Sequence, residues 1–255
     1  MAADHPHGDV IDVMKGFRDP QAVTRYADGP RRFVPGLEAL HTMAALLLAE
    51  RAPADARILV LGAGGGQELA ALAQAQPGWR FVGVDPAAPM LDLAQRTLGP
   101  LMDRVELVEG YIDDAPAGPF DGATCLLTLH FLDVAERTRT VREIHRRLRP
   151  GAAFVAAHGS YPDDAASRDR WLDRYASFAV SQGADPADTQ NARRAVAAAV
   201  NMLDPAQDMA VLRDAGFADA EPFYHAFTWR GWVGHAAASP DAGLSAGRLP
   251  PSQSR

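Results

Sequence analysis

Apolar residues along this chain follow two rhythms. Short, mostly apolar runs at Ile58–Leu61, Trp79–Val84, Val105–Val108, Phe120–Leu127 and Ala152–Ala157 predict buried strands. Between them, apolar residues recur at helical spacing. Leu40, Met43, Ala44, Leu47 and Leu48 mark one helix over Leu37–Glu50, and Gln67–Ala75, Met90–Arg96 and Val134–Leu148 mark three more, the last stopped by Pro150-Gly151. Helical segments near Ser167–Gln182, Asp188–Met202 and Ala206–Ala215 follow. Two closely spaced strands, near Ala220–His225 and Thr228–Val233, suit a hairpin. Alternation of strand and helix predicts an α/β fold, a Rossmann-like, mostly parallel seven-stranded sheet with an antiparallel edge strand. Residues 1–20 and 236–255 are rich in polar residues, Pro, Gly, Ser or Ala. They are expected to be a flexible start and a disordered tail, with ordering beginning near Ala22–Tyr26.

The first strand runs into Gly62-Ala-Gly-Gly-Gly66 and then a helix beginning at Gln67. Strand, glycine turn and helix present backbone N–H groups to a nucleotide-like ligand. Gly62 allows the sharp turn, Gly64 lets a ligand approach the backbone, and Gly66 is expected to let the helix start close to the sheet. The second strand ends in Asp85, nineteen residues beyond Gly66. An acid at that place can accept hydrogen bonds from both hydroxyls of a ribose. A dinucleotide fingerprint wants its third glycine where Gln67 stands, so the spacing Gly-x-Gly-x-Gly argues against a nicotinamide oxidoreductase. The absence of a Tyr-x-x-x-Lys pair argues the same way, Lys15 being the only lysine.

The net charge of −7, with no basic run interleaved with aromatics, disfavours nucleic-acid binding. Cys125 is the only cysteine, so no intrachain disulfide forms. With no signal-like start and no run long enough to span a bilayer, a cytoplasmic protein without membrane partners is expected. Scattered histidines and a lone cysteine give no metal site.

The glycine spacing and the acid ending the second strand resemble the class I S-adenosylmethionine-dependent methyltransferases, although the first strand ends in Leu61 where an acid is common. The resemblance implies S-adenosylmethionine as cofactor and S-adenosylhomocysteine as product. It places Gly62, Ala63, Gly64, Gly66 and Gln67 under the methionine part, Asp85 at the ribose, and Pro86, Met90, Tyr111 and Ile112 at the adenine, with Leu127 and Thr128 after the fourth strand. It also implies a helical cap at about 160–204 within a domain over 21–235. Arg32-Phe-Val-Pro-Gly36, Thr128-Leu-His-Phe-Leu132, Leu148-Arg-Pro-Gly151 and Leu212-Arg-Asp-Ala-Gly-Phe217 further resemble a subgroup containing the carboxy-S-adenosylmethionine synthases of tRNA modification. Those enzymes grip a carboxylate with a cap arginine, at the place of Arg194. They differ here by an aromatic residue where Leu37 stands and an Asn where Leu126 stands.

A small-molecule acceptor is the expected partner, with a homodimer as candidate assembly. Candidate acceptor contacts are Tyr26, Arg32, Tyr161, Trp171, Tyr175, Arg194 and Asn201. His130 and His158, after the fourth and fifth strands, are candidate general bases, and a structural role serves either equally. The reading is methyl transfer by direct displacement. A carboxy-S-adenosylmethionine synthase-like enzyme or a non-catalytic cofactor-binding protein are the alternatives.

Overall fold

Four uncharged residues, Ile58 to Leu61, leave β1 (Arg57–Leu61) no solvent face, and such a strand belongs at the centre of a covered sheet. In the computed structural model, which describes Phe17, Asp19, Val23, residues 29–162 and residues 164–237, β1 pairs in parallel with β2 (Arg80–Asp85) and β4 (Phe120–Leu126). β3 (Val105–Glu109) extends the sheet beyond β2, and β5 (Leu148–Gly159) beyond β4, all in parallel. β7 (Trp229–His235) runs antiparallel between β5 and β6 (Glu221–Ala226), giving the order β3-β2-β1-β4-β5-β7-β6. The expected flexible start and tail lie almost wholly outside the described residues, and so does Tyr26.

Side chains alternate across the sheet as strand geometry requires. Ile58 and Val60 join the core formed with Leu40 and Leu48 of α2 (Leu37–Ala49) and Leu69 and Leu72 of α3 (Gln67–Ala75). Leu59 and Leu61 join the opposite core, with Val141 and Ile144 of α5 (Val134–Arg147) and Leu212 of α8 (Pro205–Asp214). The crossover helix α4 (Ala88–Leu98) follows β2. A short helix, α1 (Gly29–Phe33), precedes α2 and is not signalled by the sequence pattern.

Two helices, α6 (Ala165–Ser181) and α7 (Pro186–Ala199), are inserted between β5 and α8. Each starts at an aspartate whose side chain accepts from a first-turn N–H: Asp164 from Ser167 and Asp185 from Ala187. Asp204 does the same for α8. Such caps contribute about 1 kcal/mol each and set where these helices begin.

One boundary differs from expectation. Pro150-Gly151 does not separate α5 from β5; the strand already begins at Leu148. Its register against β4 jumps from Phe120↔Leu148 to Gly122↔Ala153, so the Pro-Gly pair is absorbed as an irregularity within the strand.

Candidate active site

The carboxyl ends of β1, β2 and β4 meet where an open parallel sheet binds its ligands. Val84 O accepts from both Gly62 N and Ala63 N, which folds the glycine turn back over β2. Asp85 then holds the turn from the side: Oδ2 accepts from Gly64 N at 2.9 Å, and Oδ1 from Ala87 N at 3.0 Å. A cavity opens above, lined by Gly62, Ala63, Gly64, Gln67, Asp85, Pro86, Met90, Tyr111, Ile112, Leu127 and Thr128. Those are all the sequence-predicted cofactor residues except Gly66.

The exception has a steric cause. A Cβ on Gly66 would lie 2.8 Å from Ala94 Cα, so this glycine admits the close approach of α4 to the start of α3. The expected packing of helix on sheet is thus a packing of helix on helix. Gly62 also serves the protein rather than a ligand: its φ is +80°, and a Cβ there would sit 2.0 Å from Thr128 Oγ1. That hydroxyl donates to Leu126 O. The next residue after β4, Leu127, takes φ +57° with its N–H donating to Ala157 O. A non-glycine residue in this region carries strain of order 1–3 kcal/mol, and such residues concentrate at functional sites. Leu127 stands at the mouth between this cavity and the next.

The cavity contains acids whose protonation is set by burial. Desolvation raises the Asp85 pKa, opposed by the two backbone N–H donors, Ala87 first and Gly64 next. Glu68, in the first turn of α3, is fully enclosed and pushed up to about 8 by burial. Its Oε1 has no hydrogen-bond partner among the described residues. His41 of α2 goes the other way, lowered to about 4 by burial and then by the Arg31 charge. The sequence reasoning passed over both, although Glu68 lies only two residues beyond Gly66. It also passed over Phe17, Pro30 and Thr140, which reach the cavity from distant segments that no local motif marks, and Phe131, three residues beyond Thr128.

A second cavity adjoins the first, sharing Phe17, Pro30, Leu127 and Phe131 with it. Its walls include Phe33 of α1, Leu172 and Tyr175 of α6, Ala195 and Val196 of α7, and Trp229 of β7. Phe33 and Tyr175 stack at 5.1 Å between ring centroids. His130 also lines it, but not as the expected base. Its Nδ1 accepts from Gly159 N at 3.3 Å, and burial, followed by the His158 and Arg137 charges, lowers its pKa well below the usual histidine range. A neutral ring whose Nδ1 is an acceptor carries its proton on Nε2 and offers only a donor.

The other candidate base, His158, is enclosed in the protein. It is 2% exposed, and its Nε2 contacts Asp208 Oδ1 at 2.9 Å while its ring lies against Trp232. Asp208 Oδ1 is also 2.6 Å from Arg137 Nη1, and Arg137 reaches Asn201 O. This buried group joins α5, α8 and β5 to the end of the α7 segment and lines neither cavity.

Most expected acceptor contacts also lie outside the two cavities. Arg194 is exposed and donates to Asn191 Oδ1 on its own helix, while its neighbours Ala195 and Val196 face the second cavity. Trp171 lies under Arg174, whose guanidinium is 4.4 Å from the ring centroid. Tyr161 is buried beside Leu203, to which its N–H donates. Arg32 is exposed on α1. Asn201 contributes its backbone, donating to His130 O, and leaves its side chain exposed. None of these five lines either cavity; among the described candidates only Tyr175 does.

This arrangement of sheet, glycine turn, acid and adjoining cavity defines a nucleotide-type cofactor site beside a second chamber. Residues 58–151 match the family described as methyltransferase domain. A carboxy-S-adenosyl-L-methionine synthase from Aeromonas hydrophila is 25% identical over 226 residues, covering 87% of this chain and 91% of the relative. A demethylmenaquinone methyltransferase from Lactiplantibacillus plantarum is 35% identical over 136 residues, 51% of this chain and 54% of that protein. The structure of an O-methyltransferase family protein from Burkholderia thailandensis superposes with a TM-score of 0.64 at 19% identity. That match covers 88% of this chain but 62% of the other, so the chain spans less than two thirds of that neighbour. The methyltransferase-domain match, the long alignment with the Aeromonas relative and the shared fold support a class I S-adenosylmethionine-dependent methyltransferase.

Proposed function

We propose that the enzyme methylates a small-molecule acceptor by direct displacement. The observation that carries this is the junction at Leu127, where a cradle suited to S-adenosylmethionine opens into a separate apolar chamber. Each Asp85 oxygen uses one lone pair on the backbone and keeps another for a ribose hydroxyl. Pro86, Met90, Tyr111 and Ile112 supply walls for the adenine, and the turn from Gly62 to Gln67 lies toward the methionine part. When bound, the cofactor supplies an electrophilic methyl: the acceptor's lone pair forms the new bond, the carbon–sulfur pair returns to sulfur, and the acceptor's proton leaves to water.

The protein's own part is alignment, which supplies up to about 7–11 kcal/mol in well-oriented systems. Neither candidate histidine offers a free lone pair to a substrate, and displacement at a sulfonium needs none from the protein. Helices α6 and α7 act as the cap within a catalytic domain over 21–235. The net charge of −7 supports a small molecule rather than a nucleic acid as acceptor. Among the described residues no helix is long and apolar enough to cross a membrane, and with a single, buried cysteine this supports a cytoplasmic setting.

A carboxy-S-adenosylmethionine synthase-like activity is the second reading, favoured by the length of the alignment with the Aeromonas relative. The outward position of Arg194 weighs against it. Incubation with methyl-labelled S-adenosylmethionine and panels of phenols, amines and acids tests the proposal. Label should move to an acceptor with matching release of S-adenosylhomocysteine. Firm cofactor binding without transfer to any panel would sink it.

A further inference from the structure

The second cavity specifies its occupant more narrowly than a small molecule. No Asp, Glu, Lys or Arg is among the described residues that line it. A charged acceptor would leave water without finding a counter-ion, which is strongly unfavourable in an apolar chamber. The walls are instead rings: Tyr175 stacked on Phe33, with Trp229 beside Tyr175 at 6.3 Å and Phe131 at the mouth toward the cofactor cavity. Such faces favour a flat conjugated guest over a saturated one.

Two of its polar residues, His130 and Thr228, are tied to the end of β5. Thr228 is 2% exposed, and its Oγ1 has no hydrogen-bond partner among the described residues. A buried hydroxyl left this way is unfavourable, so a group that satisfies it is worth holding. His130 stands nearby, because both residues are anchored on the end of β5: Gly159 N donates to His130 Nδ1, and Ser160 N donates to Thr228 O. The Trp229 indole N–H is already used on Phe33 O and does not compete. A donor at His130 Nε2 beside a hydroxyl able to donate or accept matches a hydroxyl or carbonyl oxygen on the guest.

Resting on the methyltransferase reading above, we propose that this cavity seats the methyl acceptor, and that the acceptor is an uncharged aromatic molecule bearing a hydroxyl or carbonyl oxygen. Its ring lies among Tyr175, Phe33 and Trp229, and its oxygen meets His130 and Thr228.

Calorimetry on the full chain saturated with S-adenosylhomocysteine tests this with three probes: 2-naphthol, naphthalene and 6-hydroxy-2-naphthoate. The neutral naphthol should bind at least tenfold more tightly than the naphthoate and more tightly than naphthalene. Val196→Asp, which places a charge in the wall, should weaken naphthol at least tenfold while S-adenosylhomocysteine affinity stays within twofold. Thr228→Val should shrink the preference for naphthol over naphthalene. Preference for the naphthoate, no binding of any probe to the saturated protein, or an undiminished naphthol preference in Thr228→Val overturns the proposal. Failure of S-adenosylhomocysteine itself to bind would instead strike the cofactor reading, so the two failures are distinguishable.

Discussion

Asp85 and Gly64 are joined by a 2.9 Å hydrogen bond from the glycine N–H to Oδ2 of the acid. The residue at the tip of β2 therefore shapes the glycine turn before any ligand arrives, and in the proposed reading the same side chain holds the ribose. Asp85→Ala should weaken S-adenosylhomocysteine at least tenfold, or about 1.4 kcal/mol, in calorimetry. The loss should exceed that of Asp85→Asn, whose carbonyl oxygen keeps one of the two acceptors. Unchanged affinity in the alanine variant would remove the ribose role.

Gly62→Ala tests the packing of the turn. The new Cβ would meet Thr128 Oγ1 at 2.0 Å in a backbone region that already disfavours side chains. Both effects oppose folding, and overpacking alone costs about 1–3 kcal/mol. Urea denaturation should show that loss, with part recovered in the double variant Gly62→Ala/Thr128→Gly.

Glu68 ties stability to pH. Its folded pKa is raised by burial to about 8 from an ordinary value of 4.5. The folded state thus binds the proton more tightly than the unfolded chain, and stability falls as pH climbs from 4.5 to 8. The slope is at most about 1.4 kcal/mol per pH unit for one proton. Glu68→Gln removes the ionisation, so its denaturation free energy should decline less across that window. Parallel pH profiles for the two proteins would contradict the assignment.

Arg137 is fully buried, with Asp208, His158 and the Asn201 carbonyl around it. Arg137→Met leaves the Asp208 carboxylate enclosed without its guanidinium, and breaking a buried pair in this way costs about 3–5 kcal/mol. Urea midpoints should fall accordingly. The double variant Arg137→Met/Asp208→Leu should be more stable than the single one, because no lone charge remains.

Arg194→Ala separates the two functional readings. With this side chain exposed and bonded along its own helix, the substitution should leave S-adenosylhomocysteine binding and methyl transfer within twofold. A loss of tenfold or more would restore the carboxylate-gripping role.

The fold and the cofactor cradle were legible in the sequence because both are local. Strand β1, the glycine turn, α3 and the acid ending β2 fall within thirty residues, and periodicity and spacing register them directly. Spacing assigned Gly66 to packing but did not convey its partner, Ala94, nor that Gly62 packs against Thr128, both remote in sequence. The second chamber was poorly legible for the same reason. It is built from α1, the turn after β4, α6, α7 and β7, and helical spacing did not disclose that Ala195 and Val196 line it while Arg194 does not. Polar residues drew attention as substrate contacts, whereas the chamber is lined mainly by apolar and aromatic ones. His158 illustrates the limit: it follows a strand end as a catalytic base does, yet it closes a buried network with Asp208, fifty residues away.

The central claim, that the glycine turn and Asp85 hold an adenosyl-methionine-type ligand, is tested most directly by calorimetric titration of the wild-type protein with S-adenosylhomocysteine and, separately, with NAD. Saturable one-to-one binding of S-adenosylhomocysteine with no measurable heat from NAD is the predicted result. Tight NAD binding with none of S-adenosylhomocysteine would contradict it.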